Sequence, residues 1–182
     1  MEMKGKYVIA STRESVWAAL NDPDVLKECI PGCESFTRNG DTEFDADVLA
    51  KIGPVKARFK TTVKLENMQA PESYTIVGSS KGGSAGFARG KADVVLEQTD
   101  NGTELSYVAD FKVGGKLAQV GSRLVTGATR KTADEFFGSL STRLDPGAQK
   151  IEEEVPERPI SLKWIVAGAI AIALLLWWYF SH

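Results

Sequence analysis

The chain has 182 residues, 43% of them hydrophobic and 25% charged, with a formal net charge of −2. That near-neutral balance argues against general nucleic-acid affinity. Two cysteines, Cys29 and Cys33, are too few for a secreted disulfide scaffold and suit a reducing compartment.

Residues 3–10 alternate as a strand, and nothing before or within them has the apolar length of a signal peptide, so export by that route is not expected. Ser11 or Thr12 can cap a helix over residues 13–20 whose apolar face is Val16, Trp17 and Leu20. Asp22-Pro23 opens a second short helix through Val25 and Leu26, and Pro31-Gly32 ends it. Strands follow over residues 43–52 and 55–68, joined by Gly53-Pro54 as a two-residue hairpin turn. That turn fixes the register, setting Asp47 opposite Lys60 and Glu43 opposite Lys64 as expected cross-strand ion pairs. Strands over 73–81, 87–98 and 103–113 complete a meander, the last two joined at Asp100-Asn101-Gly102.

From 116 to 144 the period becomes helical, with Leu117, Val120, Leu124, Ala128, Phe136, Leu140 and Leu144 on one face. A single helix of that length spans roughly 43 Å, enough to cross the concave face of a curved sheet. The expected fold is therefore α+β, a helix grip: a curved antiparallel sheet wrapped around a long C-terminal helix, with two short helices. It occupies residues 1–144, the size of one ordinary domain.

An acidic, proline-bounded linker follows at 145–159, too poor in apolar surface to fold and averaging roughly 20 Å end to end. The rest, 160–182, reads as a transmembrane anchor, because the run 164–180 carries no charge. As a helix it spans about 25 Å, near the short end for a bilayer core of about 30 Å, and Lys163 can close the gap by snorkelling. Trp164 at one end and Trp177, Trp178 and Tyr179 at the other sit where an aromatic belt lies. Arg158 and Lys163 precede the run, so the positive-inside rule puts the N-terminal domain in the cytoplasm, on a single-pass anchor in the cytoplasmic membrane.

Strand alternation places Ala46, Ala50, Ala57, Gly78, Ser80, Ala88, Gly90 and Ala92 together on the inner face, and the long helix offers Gly121, Ser122 and Gly127 opposite them. Such layers either approach closely or leave an apolar volume between them. Gly121 and Gly127 cost about 1 kcal/mol each relative to alanine in a helix, which argues for the volume. Its candidate lining is Ala57, Phe59, Tyr74, Phe87, Tyr107, Phe111, Leu117, Val120, Gly121 and Leu124, a set suited to an apolar ligand. Arg89 belongs to a glycine-rich stretch, 79–90, that serves either as a hairpin lip over the mouth or as an idle loop. Lys51, Lys56 and Arg58 form an outward basic row, either solvated or in contact with lipid headgroups or a partner protein.

Enzymatic readings are poorly supplied. The only histidine is His182, so the domain has no His-based triad and no imidazole acid or base. Two thiols fall short of the usual four zinc ligands, and Cys29 with Cys33 makes a structural loop, a redox pair or a docking contact. The expectation is a non-enzyme with no metal and no tightly bound cofactor.

Five segments taken together carry a resemblance: Cys-Ile-Pro-Gly-Cys at 29–33, Gly-Pro-Val at 53–55, Gly-Phe-Ala-Arg-Gly at 86–90, Gly-Gly-Lys-Leu-Ala-Gln with Gly-Ser-Arg-Leu at 114–124, and Ala-Asp-Glu-Phe-Phe at 133–137. Over roughly residues 3–144 the chain resembles the carbon monoxide dehydrogenase G-subunit family, within the superfamily of START and birch-pollen-allergen-like domains. The resemblance implies an internal cavity and a role in bringing a molybdenum hydroxylase of the carbon monoxide dehydrogenase type to the membrane. Because the domain has no residues to ligate a redox centre, electrons would have to travel on a ligand. The expected ligand is an isoprenoid quinone such as menaquinone, carried between enzyme and membrane to feed the respiratory chain. The alternative is a passive tether or assembly factor with no ligand transfer, and an enzyme acting on a lipid-like substrate comes third.

Overall fold

In the computed structural model, which describes residues 1–144, strand β1 (Glu2–Ile9) leads into helices α1 (Arg13–Leu20) and α2 (Pro23–Cys29). Six strands follow: β2 (Cys33–Arg38), β3 (Glu43–Ile52), β4 (Val55–Gln69), β5 (Ser73–Lys81), β6 (Phe87–Thr99) and β7 (Gly102–Gly114). A short α3 (Lys116–Gln119) and a 23-residue α4 (Ser122–Leu144) complete the domain. The expected linker at 145–159 and the expected anchor at 160–182, with Trp164, Trp177, Trp178 and Tyr179, lie outside the described residues. Among those described, no helix is long and apolar enough to cross a membrane.

Side-chain caps start both short helices. The Thr12 hydroxyl accepts from the Ser15 N–H, and the Asp22 carboxylate accepts from the Asp24 and Val25 N–H groups, with Pro23 where a missing N–H costs nothing. The seven strands form one antiparallel curved sheet in the order β1-β7-β6-β5-β4-β3-β2. Strands β2 to β7 pair with their chain neighbours, while β1 closes the far edge against β7. Because β1 and β2 sit on opposite edges, the α1–α2 segment between them has to cross the width of the sheet. It does so on the concave side, where α2 meets α4 and α1 meets β6 and β7. Ile9, Val16, Phe44, Leu96, Leu105 and Leu140, one or more from each of these layers, are fully buried together. This is the helix-grip arrangement.

The Gly53-Pro54 turn, with Gly53 at φ +56, sets the expected register, Asp47 opposite Lys60 and Glu43 opposite Lys64. The ion pairs do not form there. Asp47 instead accepts from the Ser35 hydroxyl, and Lys64 pairs with Glu66 on its own strand at 3.5 Å. Strand β2 is an addition to the expected elements. The single helix over 116–144 is broken: Gly121 takes φ +89, a conformation that ends α3, and its carbonyl then accepts from the Val125 N–H to begin α4.

Candidate functional site

Beneath α4 the sheet and the helices line a half-open cavity of about 380 Å³. Its floor is the inner face of the strands, where Val63, Tyr74, Ile76, Ala92, Val94, Tyr107 and Ala109 alternate with outward-facing residues. Thr129, Thr132, Ala133, Phe136 and Phe137 form the roof, at the three- and four-residue spacing that keeps one face of α4 over the sheet. Leu26, Ile30 and Pro31, from α2 and the turn after it, close one side, and Phe36 and Phe44 complete that wall with rings 5.5 Å apart. The lining is overwhelmingly apolar, and the volume falls within the range of about 300–1,000 Å³ typical of small-molecule sites.

Aromatic rings supply much of the wall. Phe137 stacks on Tyr7 at 4.2 Å between centroids, and Tyr107 joins that stack, while Trp17 from α1 meets Tyr74 edge-on at 5.3 Å. The Tyr7 hydroxyl donates to the Asp134 carboxylate at 2.6 Å, joining β1 to α4. Burial raises the Tyr7 phenol pKa well above its usual value, and that hydrogen bond raises it further. Tyr107 is raised mainly by burial, and Tyr74 by burial alone.

Tyr74 and Tyr107, among the residues singled out from sequence, line this cavity. Phe111 packs against its core and borders the outer face as well. Phe59 and Leu117 sit in a separate buried cluster with Ala85, and Ala57 packs against it. That cluster plugs one end of the grip. The glycine-rich hairpin contributes to it by folding a 3-10 turn at Gly83–Ala85 that drives Ala85 inward. Val120 lies at the α3–α4 junction beside Gly121, whose added Cβ would meet open space. Leu124 is 53% exposed, with its methyl facing Gly53. Phe87 and Arg89 point outward, because on β6 the inward set is Ala88, Gly90, Ala92 and Val94; there the Arg89 guanidinium lies 5.9 Å from the Phe87 ring.

The outer face carries a second pattern. Cross-strand register sets Lys51 opposite Lys56, Lys60 opposite Lys81 and Arg89 opposite Lys112. Like charges placed directly opposite are destabilising. None of the six joins a salt bridge among the described residues, whereas Arg58 pairs with Glu34 at 2.6 Å. An open furrow bordered by Lys64, Arg89, Lys91 and Lys112 runs across β4 to β7 on this side.

Cys29 is buried, and the Cys33 thiol donates to the Ser35 carbonyl at 3.2 Å. Burial pushes both thiols above their usual range, the opposite of what an activated nucleophile needs. No group of three or more His, Cys, Asp or Glu side chains suited to a metal occurs among the described residues.

The model of the family described as the carbon monoxide dehydrogenase G-subunit (CoxG) matches residues 5–145. A conserved protein from Geobacillus kaustophilus superposes with a TM-score of 0.75 at 28% identity, covering 79% of this chain and 95% of that one. A Thermus thermophilus protein shares the fold at a TM-score of 0.61 and 16% identity, covering 82% of this chain and all of its own. So does the Zhui aromatase/cyclase of Streptomyces sp. R1128, at 0.59 and 9% identity, covering 79% and 93%. No curated protein matches the chain.

Proposed function

We propose, because the chain belongs to the carbon monoxide dehydrogenase G-subunit (CoxG) family, that its helix-grip domain is a carrier that holds a lipophilic ligand for a carbon monoxide dehydrogenase-type molybdenum hydroxylase. The observation that carries this reading is the half-open apolar cavity beneath α4, with aromatic rings on its walls. An isoprenoid quinone such as menaquinone suits it: a flat ring to lie among the aromatics, and electrons to take from enzyme to membrane through a domain whose described residues offer no ligands for a redox centre. The domain carries its ligand and does not transform it. Support for that is the lining, which presents tyrosine and threonine hydroxyls and no carboxylate, amine or thiol.

The uncharged run at 164–180, preceded by Arg158 and Lys163, would hold the domain on the cytoplasmic side of the membrane. The basic row on the outer sheet face, without salt bridges among the described residues, is the surface that would meet the hydroxylase or anionic headgroups.

Membranes carrying the partner hydroxylase test the carrier against a passive tether or assembly factor. Quinone reduction at the hydroxylase's expense should require this protein. A cavity-filled variant such as Ala133→Phe should still bring the hydroxylase to the membrane but should not restore that flow. If every variant that recruits the enzyme restores full electron transfer, the protein is a tether and the carrier reading fails.

A further inference from the structure

The threonine hydroxyls of the cavity wall are already committed. Thr129 and Thr132 donate their hydroxyl hydrogens back to the Val125 and Ala128 carbonyls at 2.9 and 3.1 Å. The Tyr7 hydroxyl is taken by Asp134, and the Tyr107 phenol stands beside that pair, its ring stacked 6.3 Å from that of Tyr7. Tyr74 differs. It lines the cavity, is only 4% exposed, and its hydroxyl makes no hydrogen bond among the described residues. A phenol in an apolar wall with no hydrogen-bond partner among the described residues is available to a polar atom of a bound ligand. Van der Waals packing does not require it, since phenylalanine at this position would make the same edge-on contact with Trp17.

We propose that the Tyr74 phenol is the recognition point of the cavity, donating a hydrogen bond to an acceptor oxygen of the ketone or quinone class on a flat ring held between the aromatic walls. This rests on the carrier reading and names what the cavity selects. A phenol has one donor and two lone pairs. The same group can donate to the carbonyl of an oxidised ligand and accept from the hydroxyl of its reduced form, so a carrier needs no rearrangement to hold either state. Burial keeps that phenol protonated throughout the physiological range, and the contact is hydrogen bonding with no proton transfer.

The test compares Tyr74→Phe with the unaltered full chain in detergent, using two probes with the same fused-ring skeleton, 2-methyl-1,4-naphthoquinone and 2-methylnaphthalene. The expected result is a roughly tenfold weaker quinone affinity in the variant and an unchanged hydrocarbon affinity, at an unchanged or raised melting temperature. The carbonyl stretch of the bound quinone should also shift to lower frequency in the unaltered protein and not in the variant. If the variant binds both probes as the unaltered protein does, with no difference in the carbonyl band, Tyr74 is not the donor and the proposal falls while the carrier reading stands. If the unaltered protein binds neither probe, the carrier reading fails and takes this proposal with it.

Discussion

Tyr7 and Asp134 stand 127 positions apart in the chain and meet at 2.6 Å, the phenol of the edge strand donating to the carboxylate of the roof helix. The bond closes the β1 side of the cavity, where Phe137 stacks on the same tyrosine. Tyr7→Phe should keep the stack and lose the latch. At a partly solvated site this costs about 0.5–1.5 kcal/mol, or a few degrees in melting temperature. Amide exchange across residues 130–137 should quicken while that of β4 and β5 stays as it was.

Glycines in contrasting surroundings predict opposite signs. Gly127 and Gly138 lie within α4 with open space where a Cβ would be added, so each alanine replacement should stabilise by about 0.5–1 kcal/mol. Gly121→Ala should destabilise by about 1–2 kcal/mol, because φ is +89 there. Gly5→Ala should also destabilise, by about 1–3 kcal/mol, since the new methyl runs into the Tyr107 ring across the strand pair. Thermal melts of the four variants check the ordering.

The tyrosines set the alkaline limit. Tyr7, Tyr74 and Tyr107 all have pKa values raised above the usual 10.0 by burial, so the native state holds its phenolic protons more tightly than the unfolded chain. The stability this contributes is fully present below the unfolded value and is lost as pH rises through the native ones. Denaturant midpoints should therefore show no phenol-linked loss up to about pH 10 and should fall above it. Constant stability well above that point would contradict the burial of these rings.

Both cysteines should behave as structural thiols. Burial raises them above 9.0, so the native protein at neutral pH should react slowly with a thiol reagent, and unfolding should accelerate the reaction sharply. Fast labelling of Cys29 in the folded state would point to an accessible, activated thiol.

Much of the fold was legible because its signals are local. Strand alternation, the Thr12 and Asp22 caps and the Gly53-Pro54 turn each act within a few residues, and the turn carries the register of β3 and β4 with it. Strand β2 was hidden by brevity and by the shift in pairing between Cys33 and Ser35, which interrupts its alternation. The α3–α4 break was hidden because apolar period does not encode the sign of a φ angle; Gly121 satisfies the helical pattern and still leaves the helix. The cavity was the least legible feature, since its walls depend on how α1 and α2 cross the sheet and on how α4 is rotated over it. That is why sequence pattern does not single out Phe36, Thr132 and Phe137 as lining, and why Leu117, whose period is right, fills a plug at the end. Phe87 is a different case: alternation already put Ala88 and Gly90 inward, which requires Phe87 to face out.

Extraction of the full-length protein from cells with its lipids, followed by mass spectrometry of the bound fraction, tests the cavity's role most directly when the unaltered chain is compared with Ala133→Phe and Ala109→Leu, which fill the cavity from roof and floor. The account predicts an isoprenoid quinone at close to one per chain in the unaltered protein and its loss from both folded variants. Equal quinone in all three, or none above the level of bulk lipid in the unaltered protein, would contradict it.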